Sequence, residues 1–201
     1  MMFVLLVLIG YLIGSIPSGY LTMRLFTGQD IRTFGTGNAT VTAVMIYGGK
    51  RPGIAALLLE IIKAVVCIFI AGALVGEAWA SLTILIAAVF GCSWSVWLRG
   101  GGGQGLTIGM SGLVLLNIVA VLIMAVFFLI PYAISKRHLM SNRMFRLSVP
   151  IVLASWYTSW EWAIAGCLLV MPSFVKGWLS GDDVVEARKA DGVGHTGAGA
   201  A

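Results

Sequence analysis

Apolar residues in this chain come in long runs rather than at alternating positions. Runs near the 20 residues that a helix needs to cross a bilayer cover roughly Met2–Leu21, Gly53–Val75 and Ala78–Leu98. Two more cover roughly Leu147–Tyr157 and Trp160–Leu179, and a longer one fills 106–133. No segment shows the period-two alternation of a membrane barrel strand. Backbone groups in hydrocarbon must be satisfied within the segment, so the runs predict helices. The expected fold is an all-α integral membrane domain over residues 1–180. The polar, small-residue-rich stretch 181–201 is expected to be a disordered tail.

Composition agrees with this pattern. Hydrophobic residues make up 59% of the 201 positions and charged residues only 10%, whereas a soluble domain carries about 25% charged residues. The first run has no Lys or Arg before it, which predicts a retained span rather than a cleaved signal segment. The net charge of +5 gathers in short links between the runs. Membrane topology accounts for such clusters, so they are not a nucleic-acid footprint. Arg24, Arg32, Lys50 and Arg51 follow the first run, Arg99 follows the third, and Lys136, Arg137, Arg143 and Arg146 crowd the link near 140. The positive-inside rule puts these links in the cytoplasm and the N-terminus outside.

One stretch conflicts with simple crossing. If Arg99 and the 136–146 cluster share a side, the segment between them must cross an even number of times. Its roughly 28 residues give about 42 Å of helix, too short for two crossings of about 30 Å. The prediction is therefore a short helix from about Leu106 to Leu115, a break near Asn117, and a longer helix to about Ala133. The count becomes about seven helices, one of them short, with the C-terminus cytoplasmic.

Two glycine-rich, cationic segments interrupt the apolar pattern. One runs from Asp30 through Gly35-Thr36-Gly37-Asn38 to Thr42, and the other is Arg99-Gly100-Gly101-Gly102-Gly103-Gln104-Gly105. Loops of this kind bare successive N–H groups and form concave anion sites. Gly14-Ser15-Ile16-Pro17-Ser18-Gly19 precedes the first, where Pro17 predicts a kink and the small residues predict close helix packing. The three cysteines, Cys67, Cys92 and Cys167, lie in apolar runs without metal-ligand spacing and read as core residues. There is no Ser-His-Asp set and no cofactor motif, so neither a metal nor a cofactor is expected.

The order Gly-Ser-Ile-Pro-Ser-Gly-Tyr, Asp-Ile-Arg-x-x-Gly-Thr-Gly-Asn, Glu60-x-x-Lys63, Gly91 and Gly102-Gly103-Gln104-Gly105 resembles the bacterial acyl-phosphate:glycerol-3-phosphate acyltransferases (PlsY). The resemblance spans about residues 10–181 and closes on Trp178-Leu179-Ser180-Gly181. It implies seven membrane helices, an outside N-terminus and a cytoplasmic-side site in a multi-pass protein of the cell inner membrane. It also implies transfer of a fatty acyl group from acyl phosphate to glycerol 3-phosphate, giving lysophosphatidic acid for phospholipid synthesis. Those two substrates and membrane lipids are the implied partners.

The resemblance places Thr36 and Asn38 at catalytic positions. It makes Arg32, Gly35, Gly37, Thr42, Arg99, Gly102, Gly103, Gln104, Gly105 and Arg137 candidates for binding phosphate. Several family positions differ. Thr36 stands for Ser, Ala43 for Asn, Ile46 for Arg, Cys92 for His, and Gly101 and Gln104 for two lysines. Met171 and Phe174 occupy the positions of a His and an Asn. About three cationic donors are lost from a site that must hold several negative charges, where charge-assisted bonds are the strong ones. Returning lysine to 101 and 104 is expected to raise activity. The losses leave a second reading open, a non-catalytic homologue that binds an anionic lipid or regulates a true acyltransferase. A small transporter is a third, without an internal repeat to support it.

Overall fold

A computed structural model describes residues 1–136, 138–181 and 183–187, with 138 and 139 described by backbone alone. Arg137 and the chain from 188 onward lie outside the described residues. The expectation of disorder for 188–201 therefore falls outside them as well.

The described residues form helices and turns with no strand. In chain order the helices are α1 (Met2–Ser15), α2 (Ser18–Thr27), the single turn α3 (Val41–Ala43), α4 (Lys50–Leu74), α5 (Ala78–Ser93), α6 (Leu106–Leu116), α7 (Ile118–Ser135), α8 (His138–Tyr157) and α9 (Trp160–Ser180). Five helical stretches are long and apolar enough to cross a membrane: Met2–Thr27, Lys50–Leu74, Ala78–Leu98, Ile118–Ser135 and Trp160–Ala187. Large apolar side chains such as Leu8, Leu58, Phe69, Leu122 and Ile130 are exposed on their outer faces. That is the surface expected where lipid, not water, is the solvent.

The core is packed from small and branched residues. Leu85, Val89, Ile108, Leu113, Val149, Leu153 and Leu169 are buried together between α5, α6, α8 and α9. Helices α1 and α5 lie backbone against backbone. A methyl on Gly14 would strike the Ala88 carbonyl, and one on Gly91 would strike that of Tyr11. The small residues before Pro17 therefore serve packing, as predicted.

The end of α1 is resolved by donors from elsewhere. The last carbonyls of a helix lack partners within it, and Pro17 brings no N–H. Lys63 Nζ donates to Gly14 O (3.2 Å) and Ile16 O (2.9 Å), and Ser95 Oγ donates to Ser15 O. Three successive carbonyls are thus tied to α4 and to the turn after α5.

The break in the segment 106–133 falls at Asn117. Asn117 N donates to Leu113 O (2.7 Å), closing α6, and its Oδ1 accepts from Ala120 N (3.0 Å), capping α7. At 11 residues, α6 is about 16 Å long, half a bilayer core.

Two boundaries differ from expectation. Helix α8 begins at His138 rather than near Leu147, so Arg143 and Arg146 lie within a helix and not in a link. A charge can enter a packed helix when its head group is bonded inside, and Arg146 is only 6% exposed. Order also continues past residue 180. Residues 183–187 are helical and Asp183 is 4% exposed, because its carboxylate finds donors on the first glycine segment.

Candidate functional site

The first glycine segment is a compact, cross-braced loop. Asp30 Oδ1 accepts from Arg32 N (3.0 Å) and caps the 3-10 turn Ile31–Thr33. Gly37 holds φ 75°, a left-handed conformation that favours glycine, and its N–H closes a turn onto Phe34 O (2.9 Å). Asn38 is buried, and its Nδ2 donates to Thr36 Oγ1 (3.1 Å). Thr36 Oγ1 in turn donates to Asp183 Oδ1 (2.6 Å), which also accepts from Thr36 N (3.2 Å). Thr40 Oγ1 donates to Asp183 Oδ2 (2.9 Å) and accepts from Ala43 N (2.9 Å) at the start of α3.

The second segment folds back under the end of α5. Ser95 N donates to Gly101 O (2.8 Å) and Gly103 N to Cys92 O (3.0 Å). Gly105 takes φ 72° at the N-cap of α6, where a Cβ would press on Val89 and Ser93. The two segments meet directly, with Ala39 N donating to Gly102 O (3.1 Å). A methyl on Gly103 would come within 3.2 Å of Ala39 O, so Gly102 and Gly103 build the seam between the loops.

A pocket of about 100 Å³ opens along this seam. Thr40 and Thr42 line it from the first segment, Gln104 and Gly105 from the second, with Leu106 and Thr107 at the start of α6. The first amides of a helix have no partner within it and carry the positive end of its dipole, which suits an anion. Asn142 of α8 and Asp183 complete the wall, and Glu60 and Cys92 close the floor.

Glu60 and Lys63 form a buried pair at 2.8 Å, each side chain under a tenth exposed. Cys92 Sγ lies 3.7 and 3.8 Å from the two carboxylate oxygens of Glu60. Lys63 is thus held between the Glu60 carboxylate and the end of α1, away from the pocket lining.

The predicted residues therefore separate. Thr42, Gln104 and Gly105 line the pocket. Gly102 and Gly103 shape it, and Gly35 and Gly37 shape the first loop behind it. Thr36 and Asn38 reach it through Asp183. Arg32 faces away, bonded by both Nε and Nη2 to Asp30 (2.6–3.1 Å) and lying over the Tyr20 ring. That bonding holds the Asp30 carboxyl below its ordinary range. Arg99 is exposed in a left-handed turn outside the lining, and Arg137 lies outside the described residues.

Three residues of this region escaped the sequence: Asn142, Asp183 and Arg146. Arg146 Nη2 donates to Gln104 Oε1 (3.0 Å) and Nη1 to Ser173 O (2.9 Å). Only the unusual density of arginine near 140 could have flagged it, and topology accounted for that density first.

Comparison with known proteins adds a lineage to this geometry. Residues 4–178 match the family model described as glycerol-3-phosphate acyltransferase. A glycerol-3-phosphate acyltransferase of Thermosynechococcus vestitus is 32% identical over 181 residues, covering 85% of each chain. One from Desulforamulus reducens is 32% identical over 151 residues, covering 75% of this chain and 76% of the other. The crystal structure of PlsY, an integral membrane glycerol 3-phosphate acyltransferase, in its glycerol 3-phosphate form shares the fold. Its TM-score is 0.73 at 23% identity, covering 90% of this chain and 94% of that one.

Proposed function

The chain belongs to the glycerol-3-phosphate acyltransferase family, and from that membership we propose that it transfers a fatty acyl group from acyl phosphate to glycerol 3-phosphate at the seam between its glycine loops. It is a multi-pass membrane protein, and its product is lysophosphatidic acid. In the transfer the acceptor hydroxyl oxygen bonds to the acyl carbon as the bond from that carbon to the phosphate oxygen breaks. The acceptor's proton leaves, in the overall balance, with inorganic phosphate.

The observation that carries the reading is the direct bond between the loops, Ala39 N to Gly102 O, beside a pocket of hydroxyls and helix-start amides. The hydroxyls and amides suit phosphate oxygens, and the two carboxylates of the lining are held by other donors, Asp183 by Thr36 and Thr40 and Glu60 by Lys63. Thr40, Thr42, Gln104 and the first turn of α6 bind and orient the anion, and Thr36 and Asn38 fix the loop through Asp183. Acceleration comes from holding two reactants together and from fixed dipoles aimed at developing negative charge. The positive charge of the neighbouring links supports a cytoplasmic-side pocket.

The test is direct. Purified protein in detergent is mixed with acyl phosphate and glycerol 3-phosphate, and lysophosphatidic acid and phosphate are measured. Formation of both in equal amounts is expected. A well-folded protein that forms neither would overturn the catalytic reading in favour of an anion-binding homologue.

A further inference from the structure

We propose that Arg146 is the phosphate-binding cation of this site, delivered from α8 into the place that a loop lysine would otherwise fill. The proposal rests on the acyl-transfer reading above and names a residue for it.

Arg146 is buried, yet its guanidinium reaches the second glycine loop. Nη2 donates to the side chain of Gln104 and Nη1 to the Ser173 carbonyl. The guanidinium carbon stands 5.7 Å from the centre of the Phe174 ring. Space for it is provided by an absent side chain, since a Cβ on Gly177 would sit 2.9 Å from Arg146 Nη1. The group borders a cavity of about 370 Å³, whose wall also includes Arg143 and Trp178. Asn142 lines both this cavity and the pocket at the loop seam. The two spaces are neighbours, and Arg146 stands between the second loop and α9.

The contacts of Arg146 explain departures that the sequence presents as separate losses. Gln104 stands where the resemblance carries a lysine, and Phe174 where it carries an asparagine. Both touch Arg146. A lysine at 104 would place an ammonium beside the guanidinium, and like charges at such a distance disfavour each other. An amide instead accepts a hydrogen bond from it, and an aromatic face attracts it. The positive charge has moved from the loop to the facing helix. A guanidinium presents its donors in a planar fork that matches two phosphate oxygens at once.

The experiment measures binding and turnover separately. Glycerol 3-phosphate binding to the purified protein is followed by calorimetry without acyl donor, and KM and kcat are measured with it. Arg146→Ala is expected to weaken binding and raise KM about ten- to a hundredfold, the usual range for losing a charged hydrogen bond. Gln104→Lys alone is expected to weaken binding too, because two cations then compete for one space. The double change Gln104→Lys with Arg146→Ala puts one cation back and is expected to bind about tenfold or more tighter than Arg146→Ala alone. Should Arg146→Ala fail to fold, Gln104→Lys and the conservative Arg146→Lys carry the test. Arg146→Lys keeps the charge but not the planar fork and is expected to weaken binding less than about tenfold. Full loss of binding in a folded Arg146→Lys, or tighter binding in Gln104→Lys, would overturn the proposal.

Unchanged binding in Arg146→Ala, or tighter binding in Gln104→Lys, would overturn the proposal. A double variant no better than Arg146→Ala would overturn it as well, as would a wild type that does not bind glycerol 3-phosphate. A wild type that binds glycerol 3-phosphate through Arg146 but transfers no acyl group would sink the catalytic reading alone.

Discussion

The hydroxyl of Thr36 donates to the carboxylate of Asp183 at 2.6 Å across 147 residues of chain. That bond ties the first glycine loop to the segment after α9. Asp183 takes a second bond from Thr36 N and a third from Thr40 Oγ1, so one buried carboxylate organises the loop.

Asp183→Ala is expected to destabilise the protein by about 1.5–3 kcal/mol, the range for a hydrogen bond to a charged group. Thr36→Ala should cost less, and the two together less than their sum, because they share the bond. Reversible unfolding in detergent with a double-mutant cycle measures this. Strict additivity would mean that the contact contributes nothing in solution.

The pocket geometry sorts the polar candidates. Thr36→Ala, Asn38→Ala and Thr42→Ala are each expected to lower kcat/KM about two- to tenfold, from loss of a neutral hydrogen bond or of the loop geometry behind it. Arg32→Ala and Arg99→Ala are expected to stay near wild type, since Arg32 is spent on Asp30 and Arg99 points outside the pocket lining. A large loss in Arg99→Ala under the acyl-transfer assay would show that the substrate extends beyond the seam.

Cys92 offers a probe within the site. It is half-buried on the pocket floor, while Cys67 is buried and Cys167 exposed. In a Cys167→Ser background, a small neutral methanethiosulfonate at alkaline pH is expected to modify Cys92 slowly, since the thiol faces the Glu60 carboxylate at 3.7 Å, and glycerol 3-phosphate is expected to slow it further. At ten times its Kd the ligand should slow labelling about tenfold, since only free protein reacts. Labelling at the same rate with and without glycerol 3-phosphate would place the substrate elsewhere.

Breaking the Glu60–Lys63 pair should be worse than removing it. Lys63→Met leaves a buried carboxylate and takes a donor from two carbonyls at the end of α1, those of Gly14 and Ile16, and a cost of about 3–5 kcal/mol is expected. Glu60→Gln with Lys63→Met together should cost less than Lys63→Met alone. Unfolding midpoints in detergent compare the two. Equal loss in both would show that the pair's charge is not what matters.

Much of this architecture was legible because membranes impose strict arithmetic. The break at Asn117 followed from two clusters of positive charge and a segment too short to cross twice. The nearness of the two glycine loops followed from the single side that the positive-inside rule assigns to both. Arg146 and Asp183 were not legible, for a common reason. An arginine next to an apolar run reads as a topology marker, and an aspartate after the last run reads as solvated tail. Nothing local separates those roles from a buried one; only the packing of α8 against α9 and the second loop, and the donors of the first, do so. The same packing, under the proposal for Arg146, argues against one half of the expectation that lysines at 101 and 104 raise activity. Lysine at 104 alone now meets Arg146, so it is predicted to harm binding rather than restore it.

Lys63 also bears on how the chain is made. Helix α4 enters the bilayer with two ionised groups near its middle, and each costs about 2.5–3.5 kcal/mol on scales measured at the insertion machinery. The backbone oxygens that receive the ammonium belong to Gly14 of α1 and to Ile16 just after it, which emerge from the ribosome earlier. The acceptor is therefore already in the membrane when the donor arrives. Rearranging the gene so that α4 is synthesised before α1 should leave α4 stalled at the translocon or exposed to quality-control proteases. The folded structure, if reached, would be the same.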